Sequence, residues 1–405
     1  RGNPMAAIAS EACANLPSIR EIVDIEDHEA LFRHGERPST LPTVTADDAA
    51  QIQYTSGTTG FPKGAVLAHR SLTNNARFHA DRLDLAPGAA RAGMMPLFHT
   101  AGCVLTALGA LQSGSALYLI PVFDAGTILD LIEAERIVCF TSVPTMMIWM
   151  MEEQARAPRD LSSLEVVMAG GTMISADLLR RVRAELGCDF LACFGQTETA
   201  PLSTMHRRTD SMADLTGSAG QPYPQTEVSI RSVPGNEVVP IGEVGEICVR
   251  GYCCMIEYND NPEATAATID ADGWLHSGDL GALDSRGYLR VTGRVKEMII
   301  RGGENHFPAE IENVLLDHPD VAEVAVVGLP DETWGEVIAA FVRPDAGRTV
   351  DPAVLKAHCR AHLSPQKTPT VWVAVEGFPL TGSGKIRKFA LRDGYLDGTY
   401  RAASG

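Results

Sequence analysis

The 405-residue sequence has few basic side chains for the number of acidic ones. It carries 34 Lys and Arg against 51 Asp and Glu, a formal net charge of −17 at pH 7. This balance excludes a nucleic-acid-binding protein that depends on a broad basic face. It also argues against docking on an anionic membrane surface. A phosphate-bearing ligand must therefore be held by a local arrangement of donors and cations, not by overall attraction.

Paired cysteine motifs are absent as well. The nine cysteines form no CxxC pair, and Cys253 and Cys254 are adjacent, which is a poor spacing for a structural zinc site. The first residues, RGNPMAAIASEAC, lack the charged and then apolar layout of a signal peptide. We therefore expect reduced thiols and a cytoplasmic location.

A long apolar stretch needs a separate interpretation. No formally charged residue occurs between Arg91 and Asp124, and this length of chain could cross a bilayer. Pro96 and a Gln-Ser-Gly turn interrupt the stretch, however. A buried helix at about 102–111, followed by a buried strand at about 116–120, fits better than a transmembrane segment.

The order of the predicted elements indicates an α/β fold. From about 85 to 200, apolar strands alternate with helical patterns, which is typical of a parallel sheet with helices on its faces. The predicted strands are 115–120, 137–143 and 164–171, and the predicted helices are 126–136, 146–154 and 174–187. After about 215, Gly, Pro and β-branched residues predict an antiparallel β-rich region without helices.

The last part of the chain predicts a compact α+β unit. Its expected helices are 308–318 and 350–363, and its expected strands are 321–329, 336–344 and 370–378. We therefore predict a large N-terminal domain, 1–294, that contains a β-rich subdomain at about 215–293. A small mobile C-terminal domain, 295–405, follows it.

The segment YTSGTTGFPKG, residues 54–64, has the composition of a phosphate-binding loop. Its glycines let the backbone N–H groups approach an anion, its hydroxyls add donors, and Lys63 adds a cation. We expect it between a strand, 49–53, and a helix, 67–83, where an anion is well placed. It is not a Walker A loop, because Lys63 is followed by Gly64 and not by Ser or Thr. The predicted phosphate-loop residues are Thr55, Ser56, Gly57, Thr58, Thr59, Gly60 and Lys63.

This loop resembles the signature of the AMP-forming adenylating enzymes, which include acyl-CoA synthetases, adenylation domains of peptide synthetases and beetle luciferases. Seven further segments match the family in order: MPLFHTAG (95–102), AGG (169–171), CFGQTET (193–199), GEVGEICVRG (242–251), DGWLHSGDLG (272–281), GRVKEMIIRGGENHFPAEIE (293–312) and PLTGSGKIRK (379–388). The resemblance implies two half-reactions that use ATP, Mg²⁺ and coenzyme A. A carboxylate attacks the α-phosphate to give acyl-AMP and pyrophosphate, and a thiol then displaces AMP.

The resemblance also implies roles for single residues. Lys385 reaches the α-phosphate and the substrate carboxylate from the small domain; without the family match it would be a surface lysine. Glu198 is the expected Mg²⁺ ligand, since this cation prefers carboxylate oxygen, and Thr197 contacts the phosphate. Phe194 stacks on adenine, unless it is a core residue. The adenine site is completed by Gly170, Gly171 and Gly195.

Other family segments supply the ribose contacts, the hinge and the acyl pocket. Asp279 accepts both ribose hydroxyls and Arg294 adds a second contact, the alternative being a structural ion pair between them. Lys296 occupies the hinge position about which the small domain rotates. The loop residues Arg301, Gly302 and Gly303 line a coenzyme A tunnel, and the residues bordering the acyl pocket are Phe98, His99 and Gly102.

The acyl-pocket segment also indicates the substrate class. Amino-acid-activating members place an Asp after the aromatic residue of this segment, whereas here His99 follows Phe98. The apolar stretch CVLTALGALQSG suits an aliphatic tail or a flat ring. We predict a medium- or long-chain fatty acid first and an aryl or cyclic carboxylate second.

Three interpretations of the whole protein remain open. The first is a stand-alone acyl-CoA ligase. The second is an acyl-AMP ligase that loads a separate carrier protein. The third is a truncated relative that only binds nucleotide. Only 53 residues precede Tyr54 and 20 follow Lys385, so we expect an N-terminally shortened member that uses free coenzyme A. A homodimer is a further expectation.

Overall fold

The computed structural model describes residues 5–24, 27–32, 40–55, 62–170, 176–345, 347–349, 351–379 and 386–402. The chain divides into two compact units, Arg1–Thr45 and Ala46–Gly405. The first unit contains two helices, α1 (Met5–Cys13) and α2 (His28–Leu31). The second contains all the described strands. The domain boundary after Arg294 stays a prediction.

The second unit contains strands and helices in alternation. Its strands are β1 (Ala49–Thr55), β2 (Lys63–Ala68), β3 (Ala90–Gly93), β4 (Ala116–Leu119), β5 (Cys139–Ser142), β6 (Val166–Ala169), β7 (Asp189–Gly195), β8 (Leu202–Met205), β9 (Gln221–Pro222), β10 (Thr226–Arg231), β11 (Gly245–Gly251), β12 (Glu257–Tyr258), β13 (Leu275–Leu283), β14 (Leu289–Arg294), β15 (Ile299–Arg301), β16 (Glu304–His306), β17 (Val321–Asp331), β18 (Gly335–Pro344) and β19 (Val371–Ala374). Its α-helices are α3 (His69–Leu83), α4 (Gly109–Ser113), α5 (Ala125–Glu135), α6 (Pro144–Arg156), α7 (Ala176–Glu185), α8 (Met212–Gly217), α9 (Pro262–Thr268), α10 (Pro308–Leu316), α11 (Pro352–His362) and α12 (Lys388–Leu396).

The largest sheet has the order β4-β3-β5-β6-β7-β8-β9. Pairing is parallel from β4 to β7, and β8 and β9 extend the sheet in antiparallel fashion. Strands β5 and β6 are buried along their whole length, as expected for a parallel sheet covered on both faces. The predicted α/β fold is therefore confirmed, including the strands and helices between 115 and 187.

The helices beside this sheet begin and pack for local reasons. The Asp124 carboxylate accepts a hydrogen bond of 2.8 Å from the Thr127 N–H and caps α5. Apolar residues on α5 and α6 complete the core, each contributing about 1.5–3 kcal/mol on burial. They are Ile128, Leu129, Ile132, Met147, Met150 and Met151.

The uncharged stretch forms the helix predicted at about 102–111. Ala101–Leu108 is a π-helix, and it continues into α4. The predicted strand at 116–120 is β4. Within the described part of the chain, none of the helices combines the length and the apolar character that crossing a bilayer requires.

The β-rich region is confirmed, with a correction. Strands β10, β11, β13 and β14 form an antiparallel sheet. The expectation that helices are absent there was wrong, because α9 lies between β12 and β13. The residues at the N-terminus of α9 favour this helix. The Asn261 side chain accepts a hydrogen bond from the Ala264 N–H at 3.0 Å, and Pro262 occupies the first turn. It has no buried residue, so apolar periodicity could not reveal it.

The C-terminal elements form a five-stranded sheet. Its order is β16-β15-β18-β17, and β19 pairs in parallel with β18. The predicted helices and strands correspond to α10, β17, β18, α11 and β19. Helix α12, which follows the predicted catalytic lysine in the chain, is an element that the sequence pattern did not predict.

His206 predicts an acid-sensitive stability. Its side chain is fully buried, Nδ1 accepts from the Ala192 N–H at 3.1 Å, and Nε2 lies 2.9 Å from the Ser218 hydroxyl. Burial lowers its pKa to about 4. The imidazole is therefore neutral in the folded protein. As pH falls from about 6.5 towards 4, the unfolded chain takes up a proton that the folded chain refuses, a loss of roughly 3 kcal/mol.

We expect His206→Asn, which keeps an acceptor near Nδ1, to lose less free energy of unfolding than the wild type over this pH interval. Urea denaturation at several pH values measures the difference. Since the same carboxylates titrate in both proteins, only the difference between the two pH dependences is attributed to His206. An identical pH dependence in both proteins would contradict the assignment.

Candidate functional site

The stem of the predicted phosphate loop is a β-hairpin. Strands β1 and β2 are antiparallel, with Thr55 opposite Lys63 and Tyr54 opposite Gly64. The helix predicted at 67–83 is present as α3, which begins at His69, but the apolar run between the loop and this helix forms a strand, β2, that the sequence pattern did not predict. Thr55 and Lys63 are therefore placed at the two ends of the loop. The predicted loop residues Ser56, Gly57, Thr58, Thr59 and Gly60 lie outside the described residues.

The expected Mg²⁺ ligand lies beside this stem. Glu198 belongs to a 3₁₀ turn, Thr197–Thr199, that follows β7. Its Oε1 accepts a hydrogen bond of 2.7 Å from the Tyr258 hydroxyl. The Lys63 ammonium lies 4.8 Å from the centre of the Tyr258 ring. The fold thus brings together Glu198 and Lys63, and between them a tyrosine that sequence reasoning missed.

The residues predicted at the adenine site pack closely. A Cβ on Gly195 would lie 2.0 Å from the Pro201 carbonyl oxygen, so no larger residue fits there. Phe194 is only 8% exposed and packs against Ile230, Ile247 and other apolar residues. Its ring contributes to a core, and stacking on adenine stays a prediction. Gly171 lies outside the described residues.

The reason why position 170 is a glycine can be tested by substitution. A Cβ at this position would lie 2.5 Å from the Cys193 Sγ. If packing is the reason, Gly170→Ala destabilises the protein by about 1–3 kcal/mol, and the double variant Gly170→Ala/Cys193→Ala recovers most of the loss. Thermal unfolding of the single and double variants measures this. A Gly170→Ala protein of normal stability that no longer binds ATP would instead support a nucleotide role for this glycine.

Asp279 and Arg294 face each other across β13 and β14. They are register partners, and the Arg294 Nε lies 3.3 Å from an Asp279 carboxylate oxygen. Arg294 also lies 3.9 Å from Glu297, whose other oxygen is 2.8 Å from the Lys388 ammonium. Lys388 is in turn 2.8 Å from Glu312. Contact of Asp279 and Arg294 with ribose stays a prediction.

This ion-pair series contains a half-buried lysine, Lys388, between two carboxylates. Burial tends to lower the pKa of Lys388, but the carboxylates of Glu312 and Glu297 outweigh it and the pKa is raised. Lys388 therefore stays charged at neutral pH. The predicted catalytic Lys385 lies outside the described residues.

The predicted hinge and tunnel segments are adjacent in the chain. Lys296 is exposed in the 3₁₀ turn Val295–Glu297. Gly302 and Gly303 form the turn between β15 and β16, with φ of +60° and +83°. Arg301 donates to the Gln366 carbonyl oxygen at 2.5 Å, and its guanidinium lies 5.3 Å from the centre of the Trp334 ring. Their roles as hinge and tunnel stay predictions.

The predicted acyl-pocket segment, 95–102, leads into the first residues of the π-helix. The Phe98 side chain is 80% exposed, and its carbonyl accepts a hydrogen bond from the buried Gln53 side chain of β1. The Ala101 N–H donates to Nδ1 of His99 at 3.1 Å. A Cβ on Gly102 would lie 2.2 Å from the Pro96 carbonyl oxygen, so this turn requires glycine.

One group of side chains in the described part of the chain has metal-ligand donor types. Glu246, Cys248 and His276 lie on β11 and β13 with their ligand atoms within 4.8 Å of one another. They are already hydrogen-bonded: His276 Nδ1 is 2.8 Å from Glu246, whose other oxygen accepts from the Gly278 N–H at 3.0 Å. The group therefore fixes the turn that precedes Asp279.

The residues around the hairpin stem suit a magnesium nucleotide. Glu198 supplies the carboxylate oxygen that Mg²⁺ prefers, and Lys63 supplies a cation for phosphate. Both are partly exposed, whereas the tyrosine between them is buried. The donor set fits Mg²⁺, and the role of Glu198 as its protein ligand stays a prediction.

Comparisons with known proteins agree with this chemistry. Feruloyl-CoA synthase of Amycolatopsis is 41% identical over 88% of this chain and 72% of its own length. Medium-chain acyl-CoA ligase ACSF2 of Rattus norvegicus is 36% identical over 85% of this chain and 57% of its own length. O-succinylbenzoate coenzyme A synthetase (MenE) from Bacillus subtilis, solved with ATP and magnesium ion, has a TM-score of 0.79 at 32% identity, covering 90% of this chain and 73% of that one.

The fold and these comparisons together define the class of protein. The family model for the AMP-binding enzyme matches residues 5–259, and the model for the AMP-binding enzyme C-terminal domain matches residues 310–385. The chain belongs to the AMP-binding enzyme family. The predicted class, an AMP-forming acyl-CoA synthetase, is confirmed by its relatives. The chain spans 57% of the length of the ACSF2 ligase and 72% of the length of the feruloyl-CoA synthase.

Proposed function

We propose that this protein joins a medium- or long-chain fatty acid to coenzyme A through an acyl-AMP intermediate. The observation that carries the proposal is the meeting of Glu198 and Lys63 at the stem of the phosphate loop, around Tyr258. The medium-chain acyl-CoA ligase among the relatives supports an aliphatic acid. The uncharged, small-residue π-helix beside the acyl-pocket segment supports it as well.

The first half-reaction is a phosphoryl displacement that needs charge neutralisation more than covalent catalysis. A substrate carboxylate oxygen attacks the α-phosphorus, and the bond to pyrophosphate breaks. Lys63 orients phosphate oxygens, and Lys385 stabilises the negative charge that develops on the α-phosphate and the attacking carboxylate. Glu198 would hold Mg²⁺, which supplies Lewis-acid stabilisation of the phosphates when bound.

In the second half-reaction the coenzyme A thiol, losing its proton, attacks the acyl carbon and AMP leaves. We propose that the small domain turns about Lys296 between the halves. The segment with Arg301, Gly302 and Gly303 then lines the path of the incoming thiol. Both half-reactions thus use one nucleotide site, with Asp279 and Arg294 on the ribose.

An aryl acid is the second candidate substrate. Feruloyl-CoA synthase is more similar to this chain than the ACSF2 ligase is, at 41% identity against 36%. Two further candidate functions are the loading of a separate carrier protein and the binding of nucleotide without turnover. A cytoplasmic location and a homodimer stay predictions.

The decisive experiment measures AMP release from ATP and Mg²⁺ across a panel of aliphatic and aryl carboxylates, with and without coenzyme A. Lys385→Ala serves as the blank. Release that requires both a fatty acid and coenzyme A supports the proposal, and a preference for aryl acids favours the second candidate. Adenylate formation that ignores coenzyme A indicates carrier loading. Folded protein that binds ATP without any turnover would indicate a binding-only relative.

A further inference from the structure

Tyr258 contacts both charged groups at the loop stem. It is 6% exposed, its hydroxyl donates to Glu198 Oε1 at 2.7 Å, and its ring centre lies 4.8 Å from the Lys63 ammonium. A cation near an aromatic face is attracted to it, and a hydroxyl bonded to a carboxylate fixes the carboxylate direction. Tyr258 therefore contacts two groups of opposite charge, and the two half-reactions described above assign it no role.

The backbone holds Tyr258 rigidly in this position. Strand β12 pairs with β2, with Tyr258 opposite Ala65. The neighbouring Asn259 N–H donates to the Gly64 carbonyl at 2.7 Å. On the other side, the Met255 N–H donates to the Glu198 carbonyl at 2.8 Å. The segment is thus hydrogen-bonded both to the loop stem and to the turn that carries Glu198.

The hydroxyl is the donor of this hydrogen bond, because the ionised carboxylate of Glu198 can only accept. The O–H bond therefore occupies Glu198 Oε1 and turns the carboxylate in one direction. Glu198 Oε2 is the oxygen that this arrangement offers to a cation.

We propose that Tyr258 is a positioning residue for magnesium nucleotide: its hydroxyl orients the Glu198 carboxylate towards Mg²⁺, and its ring orients Lys63 towards the phosphates. The inference rests on the proposed function, in which Glu198 is the protein ligand of Mg²⁺. It separates two roles in one side chain. The hydroxyl acts on the cation, and the ring acts on the polyphosphate.

Tyr258→Phe removes the hydroxyl and keeps the ring. We expect the Mg²⁺ concentration that gives half-maximal ATP binding, measured by titration calorimetry, to rise about tenfold, the scale of a lost hydrogen bond to a charged group. Binding of ATP in the presence of a chelator should stay near the wild-type value. Tyr258→Leu removes the ring as well and should weaken ATP binding both with and without Mg²⁺.

Tyr288→Phe is the matched control, since the Tyr288 hydroxyl donates to an Asp210 carboxylate oxygen at 2.8 Å away from the hairpin stem. It should leave the Mg²⁺ dependence unchanged. A Tyr258→Phe protein with wild-type Mg²⁺ dependence would overturn this inference and leave the proposed function standing. So would one that loses ATP affinity equally with and without Mg²⁺, because that is the result of a merely structural role. A wild-type protein whose ATP binding ignores Mg²⁺ would overturn this inference together with the proposed role of Glu198.

Discussion

Lys385→Ala is expected to lose acyl-AMP formation by at least about 100-fold, the scale of removing one preorganised electrostatic group. The ammonium neutralises charge at the α-phosphate only in the first half-reaction. Thioester formation from supplied acyl-AMP should therefore stay within a few-fold of the wild type. The two rates are measured separately, as pyrophosphate release from ATP and as acyl-CoA formation from synthetic acyl-AMP.

Lys367→Ala is a suitable control for this variant. The Lys367 ammonium pairs with Glu310 at 2.6 Å, so the substitution removes one lysine charge without touching the predicted catalytic segment. Both half-reactions should survive it. If Lys385→Ala lost both half-reactions equally, the assignment of this lysine to adenylation alone would be refuted. The proposed rotation of the small domain between the two half-reactions would then lose its support.

The second large effect is expected for Glu198→Gln, which should slow acyl-AMP formation by about 100-fold. The amide keeps the size of the side chain and an oxygen acceptor for the Tyr258 hydroxyl, but it removes the negative charge that a hard cation prefers. Much of the lost rate should return at high Mg²⁺ concentration. Initial rates over a Mg²⁺ titration separate weaker cation binding from a slower chemical step.

Glu227→Gln controls for the loss of one carboxylate, because Glu227 pairs with Arg250 at 2.8 Å on the β-rich sheet. This variant should keep the wild-type Mg²⁺ dependence. A Glu198→Gln enzyme with an unchanged Mg²⁺ requirement would show that another residue holds the cation. The Tyr258 inference would then lose its basis.

Local sequence patterns were sufficient to predict the strands of the parallel sheet, but not the β-hairpin formed by β1 and β2. Strands β5 and β6 are short apolar runs between helices, so residues that are adjacent in the sequence already indicate that these strands are buried. The run after Lys63 is equally apolar, but it becomes a strand because β1 and the distant β12 pair with it. A pattern read over a short window cannot include a partner so far away in the chain.

The same reason explains what was missed in the site. Lys63 and Glu198 belong to recognisable motifs, and the fold brings them together. Tyr258 lies in a two-residue strand, and its importance comes from contacts with two remote segments. Phe194 lies among apolar neighbours, as its core alternative predicts, and its contact with adenine stays a prediction.

The ion pairs in the series from Asp279 to Glu312 differ in length and exposure. Lys388 lies 2.8 Å from each of its two carboxylates, whereas the link between Arg294 and Glu297 measures 3.9 Å and is more exposed. A long, exposed ion pair is weak, and salt screens it over about 8 Å at physiological ionic strength. Added salt should therefore weaken the Arg294–Glu297 contact, on either side of Lys296, before it weakens the two contacts of Lys388. For the hinge proposed at Lys296, the expected consequence is that the rate of domain rotation depends on ionic strength.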